Sequence, residues 1–200
     1  MDSIEYYNTH AAEYFQKTVD IDMKEHWDAF VKLLPAGAAI LDLGCGSGRD
    51  SAYFLSCGYD VTMLDASYKM CELASIHTGL DVLNMSYEDM DFEDVFDGIW
   101  ACASLVHIPS DKMDKLLQKI IKGLKPGGIM YMSFHYGDYE GVRYGRYFTD
   151  YRTKSLKELI LRQKNVELID LRKCRDSRVK DNSVSEDNSW IYALIKKINK

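Results

Sequence analysis

Short apolar runs alternate with longer amphipathic segments along this chain. The run 38–44 is apolar enough for a strand that is buried on both faces. The segment 110–123 instead has the apolar period of a helix. Its apolar positions are Met113, Leu116, Leu117, Ile120 and Ile121. This alternation predicts βα units packed around a mostly parallel sheet.

The pattern predicts helices and strands in regular succession. Helices are expected near residues 3–16, 22–34, 49–57, 67–77, 110–123 and 153–163. Strands are expected near residues 38–44, 60–65, 80–85, 97–103, 129–134, 166–174 and 189–197. A long aromatic loop follows the fifth strand. No linker, repeat or low-complexity stretch divides the chain, so we expect one domain over residues 1–200.

The composition fits a soluble globular domain. Of the 200 residues, 46% are hydrophobic and 28% are charged, which is ordinary for such proteins. No apolar run approaches the ~20 residues that a membrane span needs. The acidic start Met1–Glu5 lacks the basic and apolar regions of a secretory signal. We therefore expect a cytoplasmic protein that does not bind membranes.

The cysteines and histidines form no pattern typical of metal sites or disulfide frameworks. The five cysteines are scattered without a C-x-x-C pair, and the five histidines are equally dispersed. We therefore expect free thiols in a reducing compartment and no metal. The net charge of −6 argues against a nucleic-acid partner, which usually requires a basic face. The sequence carries no signal for an oligomeric state.

A glycine-rich loop, Gly-Cys-Gly-Ser-Gly at 44–48, follows the first predicted strand. Glycines are needed where the chain turns sharply and where a ligand approaches the backbone closely. The helix after the loop presents free N–H groups to polar ligand atoms. The alternative is a simple turn between a strand and a helix.

Asp65 stands at the end of the second predicted strand, 21 residues after Gly44. A carboxylate at this position can accept hydrogen bonds from two ribose hydroxyls. The alternative is an aspartate that caps the helix beginning near Ser67. The loop and Asp65 together predict a cofactor that contains ribose, and by themselves they leave NAD open.

Further features distinguish this chain from an NAD-binding protein. The loop has the spacing G-x-G-x-G rather than G-x-G-x-x-G. Leu124–Gly128 leads into the fifth strand, and Phe96–Ala101 leads towards His107. With Asp65, this ordered series resembles the class I S-adenosylmethionine-dependent methyltransferases over most of residues 38–135.

That resemblance implies a fold and a cofactor. The fold is a doubly wound, Rossmann-like α/β domain with helices on both faces of a seven-stranded sheet. The strand order is 3-2-1-4-5-7-6, with strand seven antiparallel. The cofactor is S-adenosylmethionine, and the product is S-adenosylhomocysteine. More narrowly, 44–51 and 58–62 resemble the tellurite-resistance branch of small-molecule methyltransferases, and 97–105 with 145–151 resembles a bacterial group of similar enzymes.

The resemblance also assigns residues to the cofactor. It places Gly44, Gly46 and Gly48 along the methionine and ribose portions. It places Asp65 at the ribose, with Ala66 beside it. These positions match the family motif residue by residue.

The adenine contact and a lid are assigned in the same way. Ser86 and Tyr87 match the position after strand three that contacts adenine. Neither has a carboxylate, so we expect the Tyr87 backbone N–H to recognise the base. The aromatic N-terminal helix resembles a family lid, which predicts a lid over residues 1–34, a core over 35–200 and Tyr14 above the sulfonium. The same aromatic residues would equally suit a helix packed on the core.

Two histidines follow predicted strands at the end of the sheet where ligands bind. His107 comes after the fourth strand and His135 after the fifth. Each is a candidate catalytic base, because histidine titrates near the working pH. The alternative for each is a histidine held by neighbouring backbone groups.

The long loop 136–151 is rich in tyrosine and arginine. Loops of this length are often functional. We expect Tyr136, Arg146 and Tyr147 to bind the methyl acceptor, with Arg146 or Arg143 holding an anionic group. Structural packing is the alternative for part of this set.

The predicted reaction is SN2 transfer of a methyl group to a small molecule. One alternative is an RNA, specifically a tRNA, methyltransferase. It is favoured by a basic stretch that a solvated hairpin loop would also explain: Arg172, Lys173, Arg175, Arg178 and Lys180. The other alternative is a non-catalytic protein that binds S-adenosylmethionine.

Overall fold

A seven-stranded sheet forms the centre of the structure, a computed structural model that describes residues 3–178 and 189–198. The strands are β1 (Ala39–Leu43), β2 (Asp60–Asp65), β3 (Val82–Asn84), β4 (Phe96–Ala101), β5 (Leu124–His135), β6 (Glu140–Arg143), β7 (Arg146–Thr149), β8 (Val166–Arg175) and β9 (Ser189–Lys197). The helices are α1 (Ser3–Thr18), α2 (Lys24–Val31), α3 (Arg49–Ser56), α4 (Tyr68–Thr78), α5 (Ser110–Gly123) and α6 (Thr153–Leu161), and a 3-10 turn covers Leu105–His107.

The strand order of the large sheet is β3-β2-β1-β4-β5-β9-β8. The strands from β3 to β5 pair in parallel, whereas β9 runs antiparallel to both β5 and β8. Since β6 and β7 form a separate hairpin, β8 and β9 are the sixth and seventh strands of this sheet. The predicted order 3-2-1-4-5-7-6 and the antiparallel seventh strand are therefore confirmed.

Alternate residues of the central strands point to opposite faces of the sheet. On β1, Leu41 and Leu43 join the apolar layer that contains α5 and α6, whereas Ile40 joins the layer that contains α2 and α3. On β4, Ile99 and Trp100 divide between the layers in the same way. Burial on both faces explains why these strands are almost continuously apolar.

The two N-terminal helices occupy different positions. α1 is kinked at His10, where φ is −110° and ψ is 18°, and it packs against α4 and β7. Asn8 on α1 accepts a hydrogen bond of 2.8 Å from the Ser67 hydroxyl. α2 instead buries Phe30 completely in the layer against the sheet. Of the region predicted as a lid, residues 1–34, α1 therefore lies against α4 and β7, whereas α2 packs on the sheet.

The aromatic loop 136–151 contains the ordered hairpin β6–β7. Its two turn residues, Tyr144 and Gly145, have φ values of 52° and 77°, as in a tight hairpin turn. Asn-Gly or Asp-Gly usually signals such a turn, and a tyrosine in the first position conceals it. The turn pairs Arg143 with Arg146 across the hairpin.

Element boundaries differ from the predicted ones mainly at β4 and β5. β4 ends at Ala101 because Ala103 adopts a φ of 54° and turns the chain into the 3-10 turn. β5 begins at Leu124, which pairs with Phe96 before the register shifts. None of the helices in the two described ranges is long and apolar enough to cross a membrane.

Candidate functional site

Two adjoining cavities open at the carboxyl ends of the parallel strands. The loop cavity, of about 970 Å³, is lined by the glycine loop and by residues that follow β2, β3 and β4. The hairpin cavity, of about 650 Å³, is lined by the hairpin β6–β7 and by residues around the ends of β5 and β8. Both volumes suit small-molecule ligands. The residues that line both cavities are Tyr7, Tyr14, Gly44, Gly46, Cys102, Ala103 and His107.

Gly44 and Gly46 bring bare backbone to the wall that the cavities share. Gly44 has a φ of 74°, and a Cβ there would lie 2.5 Å from the Ser104 Cβ and 2.7 Å from the Tyr87 hydroxyl. Gly46 has a φ of 54°, and a Cβ there would lie 3.6 Å from the Tyr14 ring. Position 44 therefore excludes any side chain, as expected where a ligand approaches the backbone.

Gly48 has a different role from the other two glycines. It is buried and lines neither cavity. A Cβ on Gly48 would lie 2.9 Å from the Thr78 Cγ2 and 3.3 Å from the Ala74 Cβ. The structure therefore places Gly48 at the contact of α3 with α4, outside the lining of both cavities.

Asp65 joins the glycine loop to the start of α4. Its Oδ2 accepts a hydrogen bond of 3.0 Å from the Gly46 N–H, and its Oδ1 accepts one of 2.8 Å from the Ser67 N–H. Burial raises the pKa of Asp65, and these N–H groups, with that of Ala66, oppose the rise. The cap of α4 is Ser67, whose hydroxyl accepts from the Met70 N–H. Asp65 and Ala66 both line the loop cavity.

Ser86 and Tyr87 also line the loop cavity, just after β3. The Ser86 hydroxyl donates to Asp89 at 2.6 Å, and the Tyr87 hydroxyl donates to the Ser104 carbonyl at 3.4 Å. Burial raises the pKa of Tyr87, so its hydroxyl is a neutral donor. Beside it, the Ser104 hydroxyl is buried and has no hydrogen-bond partner within the described ranges. Such an atom marks a position for a ligand.

Tyr7 and Tyr14 of α1 stand where the two cavities meet. Their rings pack edge to face with centroids 5.0 Å apart. Burial raises the pKa of both hydroxyls. Sequence reasoning selected Tyr14 and missed Tyr7. Their spacing along the helix, which puts both on one face, was the available signal.

A chain of hydrogen bonds connects the hairpin, α1 and the turn after β4. Arg146 Nη1 donates to the Tyr7 hydroxyl at 3.0 Å, and that hydroxyl lies 2.9 Å from His107 Nε2. His107 Nδ1 lies 2.6 Å from the Tyr147 carbonyl. Since a carbonyl only accepts, Nδ1 carries the proton and Nε2 accepts from Tyr7.

Both candidate catalytic histidines are neutral near pH 7. Burial lowers the pKa of His107 to about 4, and the charge of Arg146 acts in the same direction. Burial, helped by the charge of Arg143, lowers the pKa of His135 to about 3. The His135 ring packs on Trp190 with centroids 3.9 Å apart, and it lines the hairpin cavity. In the described part of the chain, no hydrogen bond engages its ring nitrogens.

Several arginines of the hairpin cavity are already paired with carboxylates. These pairs are Arg49 with Asp50, Arg143 with Asp150 and Arg178 with Asp176. Arg143 binds Asp150 through two hydrogen bonds, of 2.8 and 2.6 Å. Arg146 has no carboxylate partner in the ranges that the structure covers, and its Nε is buried without a hydrogen bond. Arg146 therefore contributes an uncompensated positive charge to this cavity.

The two tyrosines predicted to bind the acceptor lie in different cavities. Tyr136 lines the hairpin cavity, and the Lys173 ammonium lies 4.3 Å from its ring centre. Tyr147 lines the loop cavity, and its hydroxyl donates to Glu140 at 2.8 Å. Its carbonyl holds His107. The structure therefore does not bring the Tyr147 side chain together with Tyr136 and Arg146.

The basic stretch that starts at Arg172 is largely part of β8 rather than a solvated loop. Arg172 pairs with Asp170 at 2.9 Å, and Arg178 pairs with the buried Asp176 at the wall of the hairpin cavity. Lys180 lies outside the described residues. Arg172 therefore belongs to a strand, whereas Arg178 belongs to the wall of the hairpin cavity.

Cys102, which was not among the predicted site residues, lies at the junction of the cavities. Its sulfur is 3.8 Å from both Arg49 Nη2 and the Ser133 hydroxyl. Burial raises the pKa of Cys102 to about 12, so it remains a thiol. Among the residues with described positions, no three His, Cys, Asp or Glu side chains are grouped to hold a metal ion, and a reaction without metal stays a prediction.

Comparison with known proteins gives one family model and a set of curated relatives. A family model described as a methyltransferase domain matches residues 40–128. The ubiquinone biosynthesis O-methyltransferase of Xanthomonas axonopodis pv. citri is 29% identical over 109 residues, which is 51% of this chain and 45% of that protein. The chain thus spans less than half the length of this curated relative.

Two solved structures are similar over nearly the whole chain. The 1,6-didemethyltoxoflavin-N1-methyltransferase of Burkholderia thailandensis, with 1,6-didemethyltoxoflavin and S-adenosylhomocysteine bound, has a TM-score of 0.79 at 23% identity, covering 98% of this chain and 88% of that chain. A TehB-like S-adenosylmethionine-dependent methyltransferase from Corynebacterium glutamicum has a TM-score of 0.71 at 22% identity, covering 94% and 98%. At these identities the two structures establish the fold.

The sheet order and the glycine loop define an α/β protein with the architecture of a methyltransferase. With the methyltransferase domain matched over residues 40–128, they make this chain similar to the S-adenosylmethionine-dependent methyltransferases. The family match ends at residue 128, so it covers the glycine loop and Asp65 but not the hairpin β6–β7.

Proposed function

We propose that this protein transfers a methyl group from S-adenosylmethionine to a small molecule. The observation that carries the proposal is the wall shared by the loop cavity and the hairpin cavity. A donor in the first and an acceptor in the second would meet at that wall. Holding two reactants in line can lower the barrier by ~7–11 kcal/mol. The structural relative with both an acceptor and S-adenosylhomocysteine bound supports this arrangement.

The loop cavity fits S-adenosylmethionine. Gly44 brings bare backbone to the cavity at a point where a Cβ would clash with Ser104 and Tyr87, and the Ser104 hydroxyl is buried without a partner in the described residues. The Asp65 carboxylate suits the ribose hydroxyls, and the backbone at Ser86 and Tyr87 suits the adenine edge. When bound, the cofactor supplies a methyl group on a positively charged sulfur, which a nucleophile can displace.

The shared wall positions the reacting groups. Gly46 gives close access to the backbone, and the Tyr14 ring offers a face to positive charge. Ala66 adds a small side chain beside Asp65, so the cavity stays open at the ribose position.

The hairpin cavity orients the acceptor. His135, Tyr136 and His107 all line it, and of the two histidines His135 is the one whose ring nitrogens make no hydrogen bond within the described residues. His107 is a positioning residue, because its Nε2 accepts from Tyr7 and its Nδ1 is held by a carbonyl. A proton from the acceptor would reach His107 only through the Tyr7 hydroxyl.

An RNA acceptor fits the charge distribution less well. Arg172 and Arg178 are paired with aspartates, and Glu88 lines the loop cavity. The net charge is −6. A non-catalytic protein that only binds S-adenosylmethionine would have the same loop cavity, so turnover is the observation that separates it from an enzyme.

The test is methyl transfer from labelled S-adenosylmethionine to a library of small nucleophiles. We expect S-adenosylhomocysteine to form with at least one small acceptor, and Arg146→Ala to abolish turnover. Arg162→Ala is the control, since Arg162 lies on the surface and pairs with Asp114 at 3.0 Å. Label transfer only to tRNA, or cofactor binding without turnover on any acceptor, would overturn the proposal.

A further inference from the structure

Arg146 is a charged group that enters the hairpin cavity without a counterion. Its neighbours Arg143 and Arg178 already hold Asp150 and Asp176. Arg146 donates through Nη1 to the neutral Tyr7 hydroxyl, and no carboxylate in the described ranges binds it. A guanidinium that lines a cavity and has only a neutral hydrogen-bond partner favours an anionic ligand.

The Nε of Arg146 is a donor that the described residues leave without an acceptor. It is buried and has no hydrogen-bond partner in the described part of the chain. The guanidinium is fixed by three rings, whose centres lie 4.4 Å away for Tyr6, 5.5 Å for Tyr7 and 5.0 Å for Phe148. A guanidinium held in one position with a buried donor unpaired is unfavourable, and an anion bound on the cavity side of Arg146 would offset that cost by compensating its charge.

The walls of the hairpin cavity are rich in flat side chains. The aromatic residues among them include Tyr7, Tyr14, Tyr136, Phe148 and Trp190. Aromatic faces stack on flat rings, and the cavity volume of about 650 Å³ suits a compact molecule. The cavity therefore combines ring surfaces with one uncompensated positive charge.

We propose that the methyl acceptor is a flat ring compound with a negative charge on a ring-conjugated oxygen or nitrogen, and that Arg146 binds this anion. This inference rests on the proposed methyl transfer. The lone pair of the charged atom forms the bond to the methyl carbon as the carbon–sulfur bond breaks, and that electron pair stays on sulfur. The anion and the sulfonium both become neutral, and no proton has to be removed.

The two histidines fit an acceptor that arrives ionised. The low pKa values of His107 and His135, about 4 and about 3, make both weak bases. Neither imidazole adds positive charge near pH 7, so Arg146 dominates the attraction for an anion. The methylated product is neutral and loses that attraction, which favours its release.

The experiment measures ligand binding by calorimetry to the full chain saturated with S-adenosylhomocysteine. The probes are 4-nitrophenolate and the anion of 5-nitrouracil, each with a neutral counterpart, 4-nitroanisole and 1,3-dimethyl-5-nitrouracil. We expect at least one anion to bind about tenfold more tightly than its counterpart. The absorption of bound 4-nitrophenol should show that it ionises at a lower pH than in water.

Variants of Arg146 assign the preference to this side chain. Arg146→Met should remove the tenfold preference, whereas Arg146→Lys should retain part of it. Arg162→Met, which removes an exposed charge paired with Asp114, should retain all of it. The affinity for S-adenosylhomocysteine, measured for each variant, shows that the fold and the loop cavity are intact.

The outcomes separate this inference from the proposed function. If wild type binds both anions no more tightly than their neutral counterparts, or if the preference survives in Arg146→Met, the inference is wrong. If S-adenosylhomocysteine does not bind the wild-type chain, the proposed methyl transfer itself is wrong.

Discussion

Asp65 faces the loop cavity while it accepts hydrogen bonds from two backbone N–H groups. In Asp65→Ala, we expect the affinity for S-adenosylhomocysteine to fall by ~2–4 kcal/mol, because two hydrogen bonds to ribose are lost. The free energy of unfolding should fall by ~1–3 kcal/mol, since Gly46 and Ser67 lose their acceptor. Calorimetry and urea denaturation measure the two effects. Asp60→Ala, at the exposed start of β2, is the control, and an unchanged affinity in Asp65→Ala would remove Asp65 from the site.

His107 makes the stability of the protein depend on pH. Its folded pKa of about 4 lies below the ordinary value of about 6.5. The unfolded chain therefore takes up the proton first as the pH falls. The free energy of unfolding decreases as a result between about pH 6.5 and about pH 4. The loss at about pH 5, relative to about pH 7, is ~2 kcal/mol.

The variant His107→Gln lacks this titrating group. Its free energy of unfolding, relative to wild type, should therefore rise by ~2 kcal/mol on acidification from about pH 7 to about pH 5. Urea denaturation at the two pH values measures the change, with His77→Gln at an exposed position of α4 as the control. A constant difference between His107→Gln and wild type would contradict the buried, neutral state of His107.

Single residues could be predicted from the sequence where a local rule fixes them. Gly44 and Asp65 stand at the ends of recognisable strands, and both lie at the loop cavity as expected. The helical spacing of Tyr7 from Tyr14 was a signal for Tyr7, but its contacts with Arg146 and His107, which are distant in sequence, could not be predicted. The spacing of the glycines likewise does not show which of them line a cavity and which packs against a helix.

The glycine loop is the element whose backbone leaves the least room for substitution. Gly44 and Gly58 have similar φ values, 74° and 81°, but a Cβ would clash only at Gly44. We expect Gly58→Ala to lose ~1 kcal/mol of stability from backbone strain alone. Gly44→Ala should lose ~2–4 kcal/mol and its affinity for S-adenosylhomocysteine. Urea denaturation and calorimetry measure the two effects. Equal losses in Gly44→Ala and Gly58→Ala would show that the close contacts around Gly44 do not restrict a side chain at that position.

At the scale of elements, the apolar period was sufficient to locate the strands of the large sheet and the helices, whereas the strand order came from the family resemblance. Strands that are buried on both faces have a continuous apolar signature, as at β1 and β4. The hairpin β6–β7 has no such signature, since only one of its strands has buried residues, Phe148 and Thr149. The register that sets Arg143 beside Asp150, and Arg146 beside Tyr7, depends on that hairpin and was therefore beyond the sequence pattern.

For the whole molecule, the identity of the cofactor should appear in thermal stability. A ligand that binds only the folded state stabilises it by ~2.7 kcal/mol at about 100-fold excess over its dissociation constant. For a chain of this size that is a rise in Tm of roughly 5–10 °C. We expect this rise with S-adenosylmethionine or S-adenosylhomocysteine and none with NAD. A rise with NAD alone would contradict the assignment of the loop cavity.

The charge of the whole molecule bears on the class of acceptor. Binding to single-stranded RNA would weaken by ~0.7 log units per phosphate contact for each tenfold increase in salt. With a net charge of −6, we expect no salt-dependent binding of tRNA at micromolar protein. Fluorescence anisotropy with labelled tRNA over a salt series measures this. Tight binding that disappears when Arg172 and Arg175 are changed to glutamine would favour the RNA enzyme.

The position of α1 has a consequence for the kinetics of the reaction. Tyr7 and Tyr14 line both cavities, and α1 is held by Asn8 at one end of α4 and by Arg146 on the hairpin. Displacement of this single helix would expose the loop cavity and the hairpin cavity at once. If α1 closes further over bound reactants, one movement would enclose both cavities, and the rate of its reopening would set an upper limit on turnover for every acceptor, however reactive.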